Sequence, residues 1–84
     1  MLKITRVSHG EVVFKLIGRM DAENVGDMER LLSEEASDHP LVLDLKDLTL
    51  VDQDAVSFLR RRETEGIRLR NCPAYIREWL NGER

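Results

Sequence analysis

The sequence predicts one α/β domain of element order ββαβαβα, a mixed sheet whose later strands are parallel and whose helices pack against it. Three observations carry this prediction. An alternating pattern with a turn in its middle opens the chain, hydrophobic periodicity then switches between helical and strand spacing, and breaker or capping residues stand between the segments. The 84 residues suit a single domain spanning 1–84, because a fold of this size buries only about 60% of the surface its unfolded chain exposes. A second core, a lid and a large enzyme are excluded.

The elements follow in order. Leu2 to Val7 sets Leu2 and Ile4 against Lys3 and Thr5, the period of a strand. Ser8-His9-Gly10 has turn chemistry, and from Glu11 to Ile17 the residues Val12, Phe14 and Leu16 alternate with Val13, Lys15 and Ile17, which makes a hairpin that Gly18 ends. Val25, Met28, Leu31 and Leu32 then recur at helical spacing, with Glu23, Asp27 and Glu29 near the helix start, where the dipole favours anions. Asp21 or Asn24 is the cap. The helix runs out near Ala36 at the breaker cluster Ser37-Asp38-His39-Pro40.

Leu41-Val42-Leu43-Asp44-Leu45 lacks the alternation of a half-exposed strand and reads as the sheet centre, covered on both faces. Lys46 to Val51 reads as a connection. Asp52 is an N-cap for a helix with Val56 and Leu59 on its inner face, beside Ala55 or Phe58, and Gly66 ends it at the left-handed C′ position. Ile67-Arg68-Leu69-Arg70 alternates as a strand with one wet face. Asn71-Cys72-Pro73 opens a last helix whose apolar stripe is Ile76, Trp79 and Leu80, closed by Gly82.

Composition narrows the functional classes. The net charge of −3 is uneven, with 12 acidic against 6 basic residues in 1–55 and 4 against 7 in 56–84. An acidic majority over most of the chain argues against nucleic-acid binding, whose affinity comes from neutralising phosphates. The basic cluster Arg60-Arg61-Arg62 lacks interleaved aromatics and reads as a helix end whose cations suit the dipole. The single cysteine rules out an internal disulfide and favours a reducing setting. No apolar run approaches the roughly 20 residues of a membrane span, and the first residues lack the apolar stretch of a signal peptide. The expectation is a soluble, cytoplasmic protein without membrane insertion.

Candidate chemistry is sparse. Cys72 stands at a helix mouth, where a thiolate is favoured, but His9 and His39 are not placed to serve it as a base, so an enzyme built on Cys72 is the least supported reading. Asp21, Asp52 and Asp54 could gather at one end of the sheet and hold a hard cation, yet two of them occupy helix starts, where carboxylates accept backbone N–H bonds; capping is preferred to a metal. The glycines at 10, 18, 26, 66 and 82 stand singly, with neither a P-loop nor a dinucleotide fingerprint. The expectation is no catalysis, no cofactor and no metal. The stretch Thr49-Leu50-Val51-Asp52-Gln53-Asp54-Ala55 lies at the carboxyl edge, where open α/β sheets place their functional loops.

Here the chain resembles the STAS domains, found in bacterial anti-sigma factor antagonists and in the cytoplasmic tails of sulfate transporters. Val13 to Asp21 looks like the family's second strand with its G-x-(L/M)-D signature, here Gly18-Arg19-Met20-Asp21. Leu41 to Asp52 is similar to its central strand, with Leu43-Asp44-Leu45 followed by Leu48, Val51 and Asp52 at the family spacing. The resemblance runs from Leu2 to Leu80. It implies a non-catalytic interaction module of a bacterial regulatory complex, in signal transduction or transcription regulation. The implied partner is an anti-sigma-type kinase, a sensor or a transporter subunit.

In antagonists of the family, the hydroxyl residue after the aspartate matching Asp52 is phosphorylated by the partner kinase, which breaks the complex. Gln53 holds that position and has no hydroxyl, so the switch cannot operate there. Asp54 adds a permanent negative charge beside it, in partial likeness to the phosphorylated state; Thr49 and Ser57 are nearby hydroxyls off the family position. The implied partner surface is Asp21, Asp52, Gln53 and Asp54, with Arg60 or Arg61 on the helix flank. STAS domains usually continue with another strand and helix, which here leaves an edge to be defended by Arg68 and Arg70 or covered by another chain, including a second copy. Tyr75, Ile76 and Trp79 are then the candidate apolar contact group, against the preferred reading that Trp79 closes the small core. The rival is a small-ligand or nucleotide-binding module using the crevice near Asp21 and Asp52, and a third reading is a STAS-type subunit of a membrane transport complex.

Overall fold

A computed structural model describes residues 1–8, 10–35 and 40–82. His9 in the expected hairpin turn, and the expected helix end and breaker residues at 36–39, lie outside the described residues. The elements are β1 (Leu2–Ser8), β2 (Val12–Met20), α1 (Ala22–Glu34), β3 (Leu41–Asp44), β4 (Leu48–Val51), α2 (Gln53–Thr64), β5 (Arg68–Arg70) and α3 (Ala74–Leu80). The α/β class and mixed sheet are as the sequence predicts. Five strands form the sheet, one more than expected, because the segment read as a connection contains β4.

The strand around which the others assemble is β2. Along one side it pairs antiparallel with β1, Leu2 opposite Gly18 through Ser8 opposite Val12. On the other side its first half pairs parallel with β3 and its last three residues pair parallel with β4. β3 in turn pairs parallel with β5. The sheet therefore centres on β2 rather than on β3. Gly18 does not end β2, as expected, but carries it across a register shift between Gly18 and Arg19 with φ 103°. Glycine reaches this angle without steric cost. A Cβ here would also stand 2.7 Å from the carbonyl oxygen of Met1.

All three helices feed one apolar cluster and so cover one face of the sheet. Phe14, Leu16, Met20, Leu43, Leu45, Leu48 and Val51 meet Met28 and Leu32 of α1, Ala55, Val56, Phe58 and Leu59 of α2, and Ile76 and Leu80 of α3. Both Ala55 and Phe58 join the inner face of α2. On the opposite face Val13 and Val42 are also buried, Val42 completely, though neither belongs to that cluster. The expected double cover of β3 is thus real, but its second layer is made of side chains. The registers set Glu11 and Arg70 diagonally on either side of Val42, and their ion pair crosses over it. Long charged side chains cover apolar surface in this way while keeping their heads wet.

α3 is fastened by polar contacts as well as by its two buried residues. Arg60 Nε donates to the Leu80 carbonyl at 2.9 Å and its Nη2 to that of Trp79 at 2.9 Å, satisfying C-terminal carbonyls that the helix leaves open. Arg77 and Glu63 pair bidentately at 3.0 and 2.9 Å, and Arg77's hydrogen bonds hold the Glu63 carboxyl below the usual carboxylate range. Among the described residues, no helix is long and apolar enough to cross a membrane.

Leu43→Ala is expected to cost about 2–5 kcal/mol, read by urea denaturation; a loss below about 1 kcal/mol would contradict its central packing. Gly18→Ala is expected to cost about 1–3 kcal/mol from the positive φ alone, by the same measurement.

Candidate functional site

Two helices begin side by side because β2 and β4 end side by side. Met20 and Val51 are parallel partners, and the Asp52 N–H donates to the Met20 carbonyl at 3.3 Å. The next residue on each chain segment is an aspartate, Asp21 and Asp52, so both strands deliver a carboxylate to the same edge. Their extended backbone, φ −132° and −101°, is the usual N-cap conformation.

Each aspartate caps its own helix, and one of them also reaches the other. Asp21 Oδ1 accepts from the Glu23 N–H at 3.1 Å, while Asn24 Oδ1 accepts from the Asp21 N–H at 3.0 Å. The two residues between which the sequence left the cap open therefore act together as a reciprocal pair. Asp52 Oδ1 accepts from the Ala55 N–H at 2.9 Å, and its Oδ2 accepts from the Ala22 N–H at 3.0 Å. One carboxylate thereby satisfies a first-turn amide of both α1 and α2, where both dipoles favour negative charge. The caps explain these carboxylates without a metal.

Gln53 and Asp54 follow directly, exposed in the first turn of α2. Neighbouring β4 exposes Thr49 and Leu50, the latter by 52%. Leu50 thus adds apolar surface two residues before Asp52, while the Tyr75 hydroxyl donates to the Thr49 carbonyl and Tyr75, itself 45% exposed, adds apolar surface farther back along β4. Thr49 Oγ1 donates to the Gly18 carbonyl at 2.9 Å, whereas Ser57 lies exposed one turn into α2.

The remaining candidates are placed differently from expectation. Arg60 faces α3 and is occupied by the two carbonyls already described. Arg61 Nη2 pairs with Glu29 of α1 at 2.6 Å. Both cations are used in joining helices, so the structure does not bring them to the Asp52 edge as a contact pair. Ile76 is fully buried and is not part of any surface group; Trp79 is half-buried against the core, which leaves Tyr75 as the exposed member of the three. Burial pushes the Cys72 thiol up, an effect the Arg77 guanidinium partly offsets. Leu50 was missed, because its segment was read as a connection.

The family model for the STAS domain matches residues 3–71, from β1 through β5. The chain belongs to the STAS domain family. An uncharacterized protein from Shewanella loihica PV-4, described as having a SpoIIAA-like fold, superposes with a TM-score of 0.56 at 15% identity. The superposition covers 76% of this chain and 57% of that one, so this STAS domain spans little more than half of its structural neighbour. At that identity the likeness concerns the fold. Among curated proteins, none matches the sequence.

Asp52→Ala is expected to cost about 1.5–3 kcal/mol, more than the roughly 1 kcal/mol of Asp21→Ala, because it frees amides on two helices. Chemical denaturation of both variants tests this, and equal losses would show that the bond to Ala22 adds nothing.

Proposed function

We propose that this STAS domain is a non-catalytic protein-interaction module of a regulatory complex, and that its partner docks at the edge where α1 and α2 begin. The observation that carries this reading is the two-ended cap of Asp52. It fixes both helix starts to one another, so that Gln53 and Asp54 stand at defined positions beside Asp21. Preorganisation of this kind lowers the ordering cost of association. Leu50 supplies an apolar anchor next to the acidic rim, with Tyr75 extending the apolar surface along β4, the composition expected of a protein-binding patch.

The partner is an anti-sigma-type kinase domain, a sensor or a transporter subunit, presenting basic groups toward Asp21 and Asp54. Gln53 removes phosphorylation as a switch at the helix start, so the complex is either constitutive or controlled from the partner's side. Asp54 supplies fixed charge there, with fewer acceptor oxygens than a phosphate.

Affinity purification from the native host followed by mass spectrometry is expected to recover a protein partner, and Asp54→Lys or Leu50→Asp is expected to abolish its recovery while leaving the thermal melt within a few degrees. Recovery of this chain alone would overturn the reading. With a kinase partner, Gln53→Ser is expected to permit phosphate incorporation that the parent chain does not show at position 53. Phosphate on Thr49 or Ser57 of the parent chain would relocate the switch.

A further inference from the structure

Three strand edges face outward, and they differ. β5 has three residues and ends at Asn71, which takes φ 57°. On the free side of β4 the Thr49 carbonyl is taken by the Tyr75 hydroxyl. β1 is seven residues long, contains neither proline nor glycine, and pairs with β2 alone among the described residues. The Arg19 N–H donates to the Met1 carbonyl at 3.1 Å, which fixes the odd-numbered residues of β1 as those bonded to β2. The main-chain N–H and C=O groups of Leu2, Ile4, Arg6 and Ser8 therefore point away from the sheet. Such an edge is a template for another strand.

The usual defence of an edge is charge, and here it is largely neutralised. Arg6 forms a bidentate pair with Glu35 at 2.7 and 3.0 Å. That leaves Lys3 as the remaining cation on the strand. Leu2, Ile4 and Val7 are only half-buried, so apolar surface remains along the same edge.

We propose that β1 pairs antiparallel with β1 of a second copy of this chain, across a two-fold axis at Thr5. The register is self-complementary. With Thr5 opposite Thr5, Leu2 meets Ser8 and Ile4 meets Arg6, and each of these pairs exchanges two main-chain hydrogen bonds. Every outward group of the strand is used. Lys3 lies opposite Val7, Arg6 opposite Ile4, and the central Thr pair is a favourable cross-strand pair. A shift by one residue sets outward groups against inward ones, and centring on Arg6 puts two cations face to face. Centring on Ile4 leaves Ser8 unpaired. The two sheets join into one, with both helix layers on the same side and both Asp52 edges free, so the pairing is independent of the proposed partner site.

Sedimentation across a concentration series tests the pairing on the full chain. A reversible dimer of the 9.7 kDa chain is expected. Thr5→Lys, which sets like charges opposite one another at the axis, is expected to raise the dimer dissociation constant about tenfold or more while the far-ultraviolet circular dichroism is unchanged. Thr5→Cys in a Cys72→Ser background is expected to form a disulfide-linked dimer on mild oxidation, because residues at the axis sit within about 4.5–5.5 Å of each other. A parent chain that stays monomeric at millimolar concentration, a dimer indifferent to Thr5→Lys, or a Thr5→Cys chain that does not cross-link would each overturn the proposal.

Discussion

The carboxylate of Asp52 is the point on which the functional edge depends. It exists there because β4 and β2 run parallel and stop in register, at Val51 and Met20. Two strands that end together would ordinarily leave two helix starts to be solvated separately. With one side chain accepting from Ala22 and Ala55, the first turns of α1 and α2 become a single surface. The arrangement also accounts for the aspartate at this position: it receives amides from two directions, and both helix dipoles favour its charge.

The second constraint is one-sidedness. Three helices cover one face of the sheet, and the other is left to its own side chains. The buried apolar residues of that face, Val13 and Val42, lie beside the half-buried Val7 and Ile17 and are flanked by the ion pair of Glu11 and Arg70. Arg70, read from the sequence as an edge guard, is one half of that pair.

Much of this was legible in the sequence, and the exceptions have physical reasons. The period-3.6 stripe of α1, the cap at Asp52, the glycine after α2 and the breaks around Pro73 are local signals, set by residues within a few positions of each other. β4 was not legible, because Leu48 and Val51 are buried while Thr49 and Leu50 are exposed, a spacing that violates strict alternation. The register shift in β2 was hidden as well: Gly18 read as a stop, and only its opposition to Met1 and Leu48 shows why a glycine belongs inside a strand. Arg60, Arg61 and Ile76 were misplaced for a common reason. Their neighbours, the last carbonyls of α3, Glu29 and the core, are distant in sequence or lie beyond what a helical period resolves.

The unequal attachment of the strands implies an order of opening. β2 holds three strands, whereas β5 and α3 reach the rest through β3, the contacts of Arg60, Arg70 and Arg77, the Tyr75 hydroxyl and the buried Ile76 and Leu80. Regions with few buried contacts sit at the low end of the local-unfolding scale. The segment from β5 to α3 is therefore expected to detach first, a departure that would release the Tyr75 hydroxyl from Thr49 while leaving the Asp52 junction intact. Exchange at the Asp52 junction is then expected to be slow, and at Tyr75 fast, so the two sides of one surface would differ in how long they keep their shape.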